Sequence, residues 1–147
     1  MHFEKDEKIG TSRILSIPEK DAPLPVEKLE KAVESLIAGE KDVVFVLFTG
    51  NKDASGLSWC GDCRVADPII RRVLKRLPSE LKIVVVPVGD RSTYKTSGHP
   101  YRTDKKIRLT AIPTLIPWSS KGPINKRLVE GQIADEELLQ ELLTAFD

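Results

Sequence analysis

The run Val43-Val44-Phe45-Val46-Leu47-Phe48 limits the possible fold more than any other stretch of this chain. Six apolar residues in succession leave no face for water, and their β-branched and aromatic character favours extended backbone. Such a run reads as a central strand covered on both sides, so helices must flank its sheet. Ile83 to Val88 repeats the pattern and supplies a second buried strand.

The flanking helices can be placed from apolar spacing. Val26, Leu29, Val33, Leu36 and Ile37 recur at helical intervals behind Pro25, with Gly39 as a stop. Proline suits the first helical position, where its missing N–H is not needed. Val65, Ile69, Val73 and Leu77 predict a second helix from around Cys60–Cys63 to Leu77, with Pro78 just beyond it. Leu138, Leu139, Leu142, Leu143 and Phe146 predict a last helix over 135–145, and acidic residues crowd its first turn as the helix dipole favours. Arg13 to Ile17, Thr114 to Trp118 and Arg127 to Glu130 read as strands, the last two joined by a turn through Lys121-Gly122-Pro123. Gly89 to Pro100 reads as a polar loop and Tyr101 to Leu109 as a short helix. The order is β-α-β-α-β-α-β-β-α. This is the α/β class, a mixed sheet between helices.

At 147 residues the chain suits one domain. A domain of this size buries roughly 68–70% of the surface its unfolded chain exposes, so it needs no disulfide or metal to hold it. The polar residues 1–10 read as a flexible segment, and residues 11–147 as the domain. Net charge is +1, which gives no electrostatic reason to expect nucleic acid or a membrane surface. No stretch approaches the ~18 apolar residues of a membrane span. Met1 to Gly10 is charged, without the apolar run of a signal peptide, so the expected compartment is the cytoplasm.

In that compartment a Cys-X-X-Cys pair is catalytic or metal-binding more often than structural. The chain has two cysteines, both in Trp59-Cys60-Gly61-Asp62-Cys63, between a buried strand with its loop and the start of a helix. A structural zinc site needs four ligands, and only two histidines, His2 and His99, accompany the pair, so no metal is expected. A thiol reacts as the thiolate, which unpaired N–H groups and the dipole at a helix N-terminus stabilise. Cys60, at the exposed end of the turn, is the expected nucleophile. Cys63, one turn deeper, is placed to attack a mixed disulfide on Cys60 and release the reduced product. Two intervening residues put both sulfurs on one helical face.

Strand, Trp-Cys-X-X-Cys, then a helix with proline five residues on (Pro68) resembles the thioredoxin superfamily. Ala111-Ile112-Pro113-Thr114 resembles that family's cis-proline loop, which implies a cis Ile112–Pro113 bond facing the cysteines. Phe48-Thr49-Gly50-Asn51-Lys52-Asp53 followed by Ser58-Trp59-Cys60-Gly61-Asp62-Cys63 narrows the likeness to the Clot-type thioredoxin-related proteins, also called the thioredoxin domain-containing protein 17 group. An extended loop before Trp59, aspartate before the second cysteine, and the pieces Ala111 to Leu115 and Leu128-Val129-Glu130 carry it. The resemblance spans roughly Lys41 to the C-terminus.

The resemblance implies a thioredoxin-like fold and a monomeric cytosolic disulfide reductase serving cell redox homeostasis. It implies that no cofactor is bound and that electrons come from NADPH through thioredoxin reductase. It implies cystine and other small disulfides, selected protein disulfides or nitrosothiols as substrates, and a dynein light chain as a partner. Against a cytosolic poise, the pair needs a potential of roughly −270 to −200 mV.

Two positions depart from the pattern. Gly61 stands where relatives carry proline, which leaves the first helical φ freer. Leu47 aligns with the buried aspartate that assists proton transfer in ordinary thioredoxins, so no buried acid is expected to deprotonate Cys63. Asp62 is either a first-turn acid or a charge that screens clients and opposes thiolate formation. Trp59 packs over the helix start or serves as a platform shielding the disulfide. The Ile112 backbone, beside Pro113, can pair with an extended peptide. Lys52 and Asp53 are either loop surface or a client-selecting rim. His99 reads as an exposed loop residue. Beside the reductase stand two other readings, a redox-sensitive adaptor and a thiol peroxidase using Cys60.

Overall fold

A computed structural model describes residues 3–147. Among these, seven strands form one sheet: β1 (Lys5–Ile9), β2 (Ser12–Ser16), β3 (Val44–Thr49), β4 (Lys82–Pro87), β5 (Thr114–Ser119), β6 (Gly122–Pro123) and β7 (Leu128–Val129). The order is β1-β2-β4-β3-β5-β6, with β7 also on β5. β4 runs parallel to β2 and β3, whereas the β1–β2 and β3–β5 pairs are antiparallel. The helices are α1 (Val26–Glu34), α2 (Gly61–Arg76), α3 (Arg91–Tyr94), α4 (Pro100–Thr103) and α5 (Glu136–Thr144).

The β3 run is covered on both faces, and the pleat sorts its side chains between two cores. Val44, Val46 and Phe48 pack with Leu29 and Val33 of α1 and with Tyr101 of α4. Phe45 and Leu47 pack with Ala66, Ile70 and Val73 of α2 and with Leu139 and Leu143 of α5. α2 and α5 are further joined at the surface by Arg72 and Arg76, which both reach Glu136. The site is thus carried on the end of a strand fixed from above and below.

Five sequence expectations change. Residues 5–9, expected to be loose, form an edge strand; residues 1 and 2 of that segment lie outside the described residues. β1 pairs with β2 from Lys5↔Ser16 to Ile9↔Ser12 across a tight turn in which Gly10 takes a φ of +61°. Asp6 pairs with Arg13 and Glu7 with Arg71 of α2, so charges that look like solvated chain pin the strand. Its charged outer face is also a common way to protect a sheet edge.

The expected loop over 89–100 contains α3, capped by Asp90, whose carboxylate accepts the Thr93 N–H at 2.9 Å. The helix expected over 101–109 is only the single turn α4. Asp104 ends it by accepting the N–H groups of Lys106 and Ile107, each at 3.0 Å. The strand expected over 127–130 shortens to β7, because Glu130 takes a φ of +53° and opens a 3-10 turn over Glu130–Gln132. Pro25 caps α1 rather than forming its first residue.

Candidate active site

The site begins where β3 ends. From Thr49 the chain enters a loop that doubles back before α2, and polar bonds close it. Asn51 fixes its base: its N–H donates to Gly89 O at 3.1 Å, and its Oδ1 accepts the Gly89 N–H at 3.0 Å. Lys52 and Ser58 pair as an isolated β-bridge, and the Asp53 carboxylate accepts the N–H groups of Ser55 and Leu57 within the turn. The Ser55 hydroxyl, which also donates to this carboxylate, and then these two N–H groups hold the Asp53 carboxyl below its ordinary range. Ser58 Oγ donates to Gly50 O at 2.8 Å and accepts the Cys60 N–H at 3.1 Å, which delivers the chain to the helix start.

Trp59 is half-buried. Its Nε1 donates to Gly89 O at 2.9 Å, and the Arg91 guanidinium lies 4.9 Å from its ring centroid. The indole lies so close over Gly50 that a Cβ there would meet Trp59 Cε2 at 2.7 Å. Gly50 is therefore required by close approach. Trp59 thus forms a braced platform beside the first cysteine.

Cys60 caps α2. Its Sγ accepts the Cys63 N–H at 3.3 Å, and its thiol donates to Ile112 O at 3.6 Å. Although it opens the helix, its exposure is only 8%, against the expected exposed end of the turn. Trp59, Gly61, Asp62, Arg91, Tyr94 and Ile112 line a shallow groove over it. The thiol is lowered to about 7, chiefly by hydrogen bonding with Cys63, with burial and the Asp62 charge opposing. Helix-terminal N–H groups stabilise a thiolate for the same reason that they bind anions.

Cys63 lies one turn deeper and is 5% exposed. The Cys60 sulfur beside it and burial push its thiol far above the ordinary range, while the Thr49 hydroxyl and the Gly50 N–H pull the other way. Both cysteines are free thiols, the dithiol form of the pair. The Ile112–Pro113 bond is cis, and so is Ala22–Pro23. Leu47 is buried on the α2 face beneath the site and places no carboxylate there. A cavity of about 340 Å³ runs behind Cys63, bounded by Leu47, Thr49, Ala66, Pro113 and the β1 residues Lys5 and Glu7. Among the described residues, no group of three or more metal-ligating side chains occurs.

The structure thus gathers Trp59, Cys60, Gly61, Asp62, Cys63, Ile112 and Pro113 at one end of the sheet. His99 is not the exposed loop residue expected. It is 2% exposed, with Nε2 hydrogen-bonded to Val88 O at 2.8 Å and Nδ1 accepting the Tyr101 N–H at 3.2 Å. Burial lowers its pKa, so it belongs to the core as a neutral ring between Tyr94 and Tyr101. The sequence reading also missed Thr49 and Gly50. Their signal was parity: Thr49 shares the α2 face with Phe45 and Leu47, two and four residues before it.

Comparison with known proteins agrees with this arrangement. The sequence model of the thioredoxin domain-containing protein 17-like family, thioredoxin domain, matches residues 24–145. The chain belongs to that family. The thioredoxin-like protein Clot of Arabidopsis thaliana is 34% identical over 113 residues, covering 74% of this chain and 80% of the relative. Thioredoxin domain-containing protein 17 of Homo sapiens is 31% identical over 118 residues, covering 80% and 89%. Among solved structures, spinach chloroplast thioredoxin F in its long form superposes with a TM-score of 0.55 at 13% identity, over 94% of this chain and 88% of that one. That last likeness establishes the thioredoxin-like fold. A family domain with a Cys-X-X-Cys pair at a helix start has the equipment of a thiol oxidoreductase. Among the described residues, no helix is long and apolar enough to cross a membrane.

Proposed function

We propose that this protein is a disulfide reductase in which Cys60 attacks and Cys63 resolves. One observation carries the reading: Cys60 Sγ occupies the N-cap of α2 with a lowered pKa, while Cys63 is buried behind it with a raised one. Near neutral pH the Cys60 thiolate attacks one sulfur of a substrate disulfide. A Cys60–substrate bond forms, the substrate S–S bond breaks, and the first substrate thiolate leaves. Cys63 gives up its proton and attacks Cys60 Sγ, forming the Cys60–Cys63 disulfide and expelling the second thiolate. Two electrons pass from the dithiol to the substrate, and an external reductant restores the pair.

The surroundings fit a reactant that approaches over Cys60. The groove is shallow, so it suits small disulfides and exposed protein disulfides. Trp59 offers an aromatic wall, and the Ile112 backbone would pair with an extended segment beside the disulfide. Gly61 would set how freely the cap moves and Asp62 which charges are admitted. A cytosolic cycle fed by NADPH through thioredoxin reductase is the matching electron supply.

The test is NADPH consumption by the purified protein with thioredoxin reductase, against cystine and a protein disulfide in parallel. Turnover of at least one that disappears in Cys60→Ser is expected. Partner binding without turnover of either would replace the reductase with an adaptor.

A further inference from the structure

Resolution needs a thiolate at Cys63, and most of its surroundings work against one. The residue is 5% exposed, the Cys60 sulfur sits beside it, and Leu47 places no base beneath it. Two features favour that thiolate. The first is the end of β3. The strand's alternation carries Phe45 and Leu47 into the α2 core, and the next residue of that parity, Thr49, ends the strand beneath the first turn of α2. There Thr49 and Gly50 line the same cavity as Cys63, and the Thr49 hydroxyl and the Gly50 N–H act to lower its thiol. The second is the cavity behind Cys63, about 340 Å³, with room for several water molecules. One wall comes from β1, ahead of the segment that the family model matches, and is held to α2 by Glu7 and Arg71 at 2.8 Å.

We propose that Thr49 is the catalytic residue that makes Cys63 a competent resolving nucleophile, its hydroxyl donating to the Cys63 sulfur as the thiolate forms. The inference rests on the disulfide-exchange reading above and assigns this side of the site its chemistry. The Cys63 proton passes to water in the cavity. The thiolate, held by the Thr49 O–H and the Gly50 N–H, attacks Cys60 Sγ. The Cys60–Cys63 bond forms, the Cys60–substrate bond breaks, and the departing sulfur leaves as a thiolate. A serine keeps the donor; a valine keeps the shape and removes it.

Stopped-flow reduction of dithiobis(nitrobenzoate) separates the two steps, since each releases one coloured thiolate. The comparison is between the unaltered protein, Thr49→Val and Thr49→Ser. The first phase, attack by Cys60, should agree within about twofold among the three. The second phase should slow about tenfold in Thr49→Val, the size expected for losing a hydrogen bond to a charged group. Thr49→Ser should restore it to within about threefold. A second phase unchanged in Thr49→Val, or equally slow in both variants, would overturn the role of Thr49 and leave exchange at Cys60 standing. No first phase in the unaltered protein would overturn the exchange reading and this inference together.

Discussion

Cys60 and Cys63 are three residues apart on one helix turn, and their surroundings are opposite. Cys60 faces the groove under Trp59 and Ile112, accepts a helix-terminal N–H and has its thiol lowered to about 7. Cys63 faces inward, toward Thr49, Gly50 and the cavity between α2 and the sheet, and its thiol is pushed up by Cys60 and by burial. The same side chain thus serves two roles because one copy is the cap and the other lies behind it. Sequence adjacency says little about reactivity; what each sulfur is hydrogen-bonded to and how deeply it is buried say most.

The widest separation between the two should come from replacing each. Cys60→Ser is expected to reduce disulfide reduction to the background rate. Cys63→Ser should retain attack and accumulate a covalent adduct on residue 60, visible by intact mass and located by peptide mapping. An adduct on Cys63 in the Cys60→Ser protein would reverse the assignment.

Gly50 tests how the Cys60 side is braced. Gly50→Ala brings a Cβ to 2.7 Å from the Trp59 indole, so the platform must shift. Overpacking of this kind costs about 1–3 kcal/mol, to be read from denaturant unfolding with tryptophan fluorescence reporting the indole. Unchanged stability and fluorescence would show that Trp59 is not braced there.

Gly61 gives a smaller effect of opposite sign. It is the first residue of α2, a Cβ would meet only the Arg64 side chain at 3.6 Å, and Cys60 before it is extended at φ −89°, ψ 113°. These three conditions suit proline. Gly61→Pro should stabilise the protein by about 0.4–1 kcal/mol, measured by the same unfolding, by restricting the unfolded chain. Destabilisation would mean that the helix start requires the freedom of glycine.

The smallest change concerns Asp62, whose charge opposes ionisation of Cys60. Removing a negative charge favours the thiolate, so Asp62→Asn should move the Cys60 alkylation profile to lower pH. A shift to higher pH would contradict that sign.

Most of this site could be read from the chain because its determinants are local. The apolar run over Val43–Phe48 carries its own burial, and Trp59-Cys60-Gly61-Asp62-Cys63 lies next to the helix start that activates it. What could not be read depends on distant partners. Lys5–Ile9 has no apolar alternation and becomes a strand through β2, Arg13 and Arg71. His99 looks like loop surface until Val88 O and the Tyr101 N–H occupy its two ring nitrogens. Thr49 reads as the first residue of a loop, and only the packing of α2 over β3 sets it against Cys63.

The division of labour between the two sulfurs is tested most directly by alkylating the reduced protein across pH and locating the modified residue by mass spectrometry. Raising pH through a thiol's pKa increases its thiolate fraction, so a lowered pKa moves its profile down the pH scale. Cys60 should react with a midpoint near pH 7, and Cys63 should stay unmodified up to about pH 9. Reaction at Cys63 first, or a Cys60 midpoint at or above the ~8.5 of free cysteine, would contradict the account.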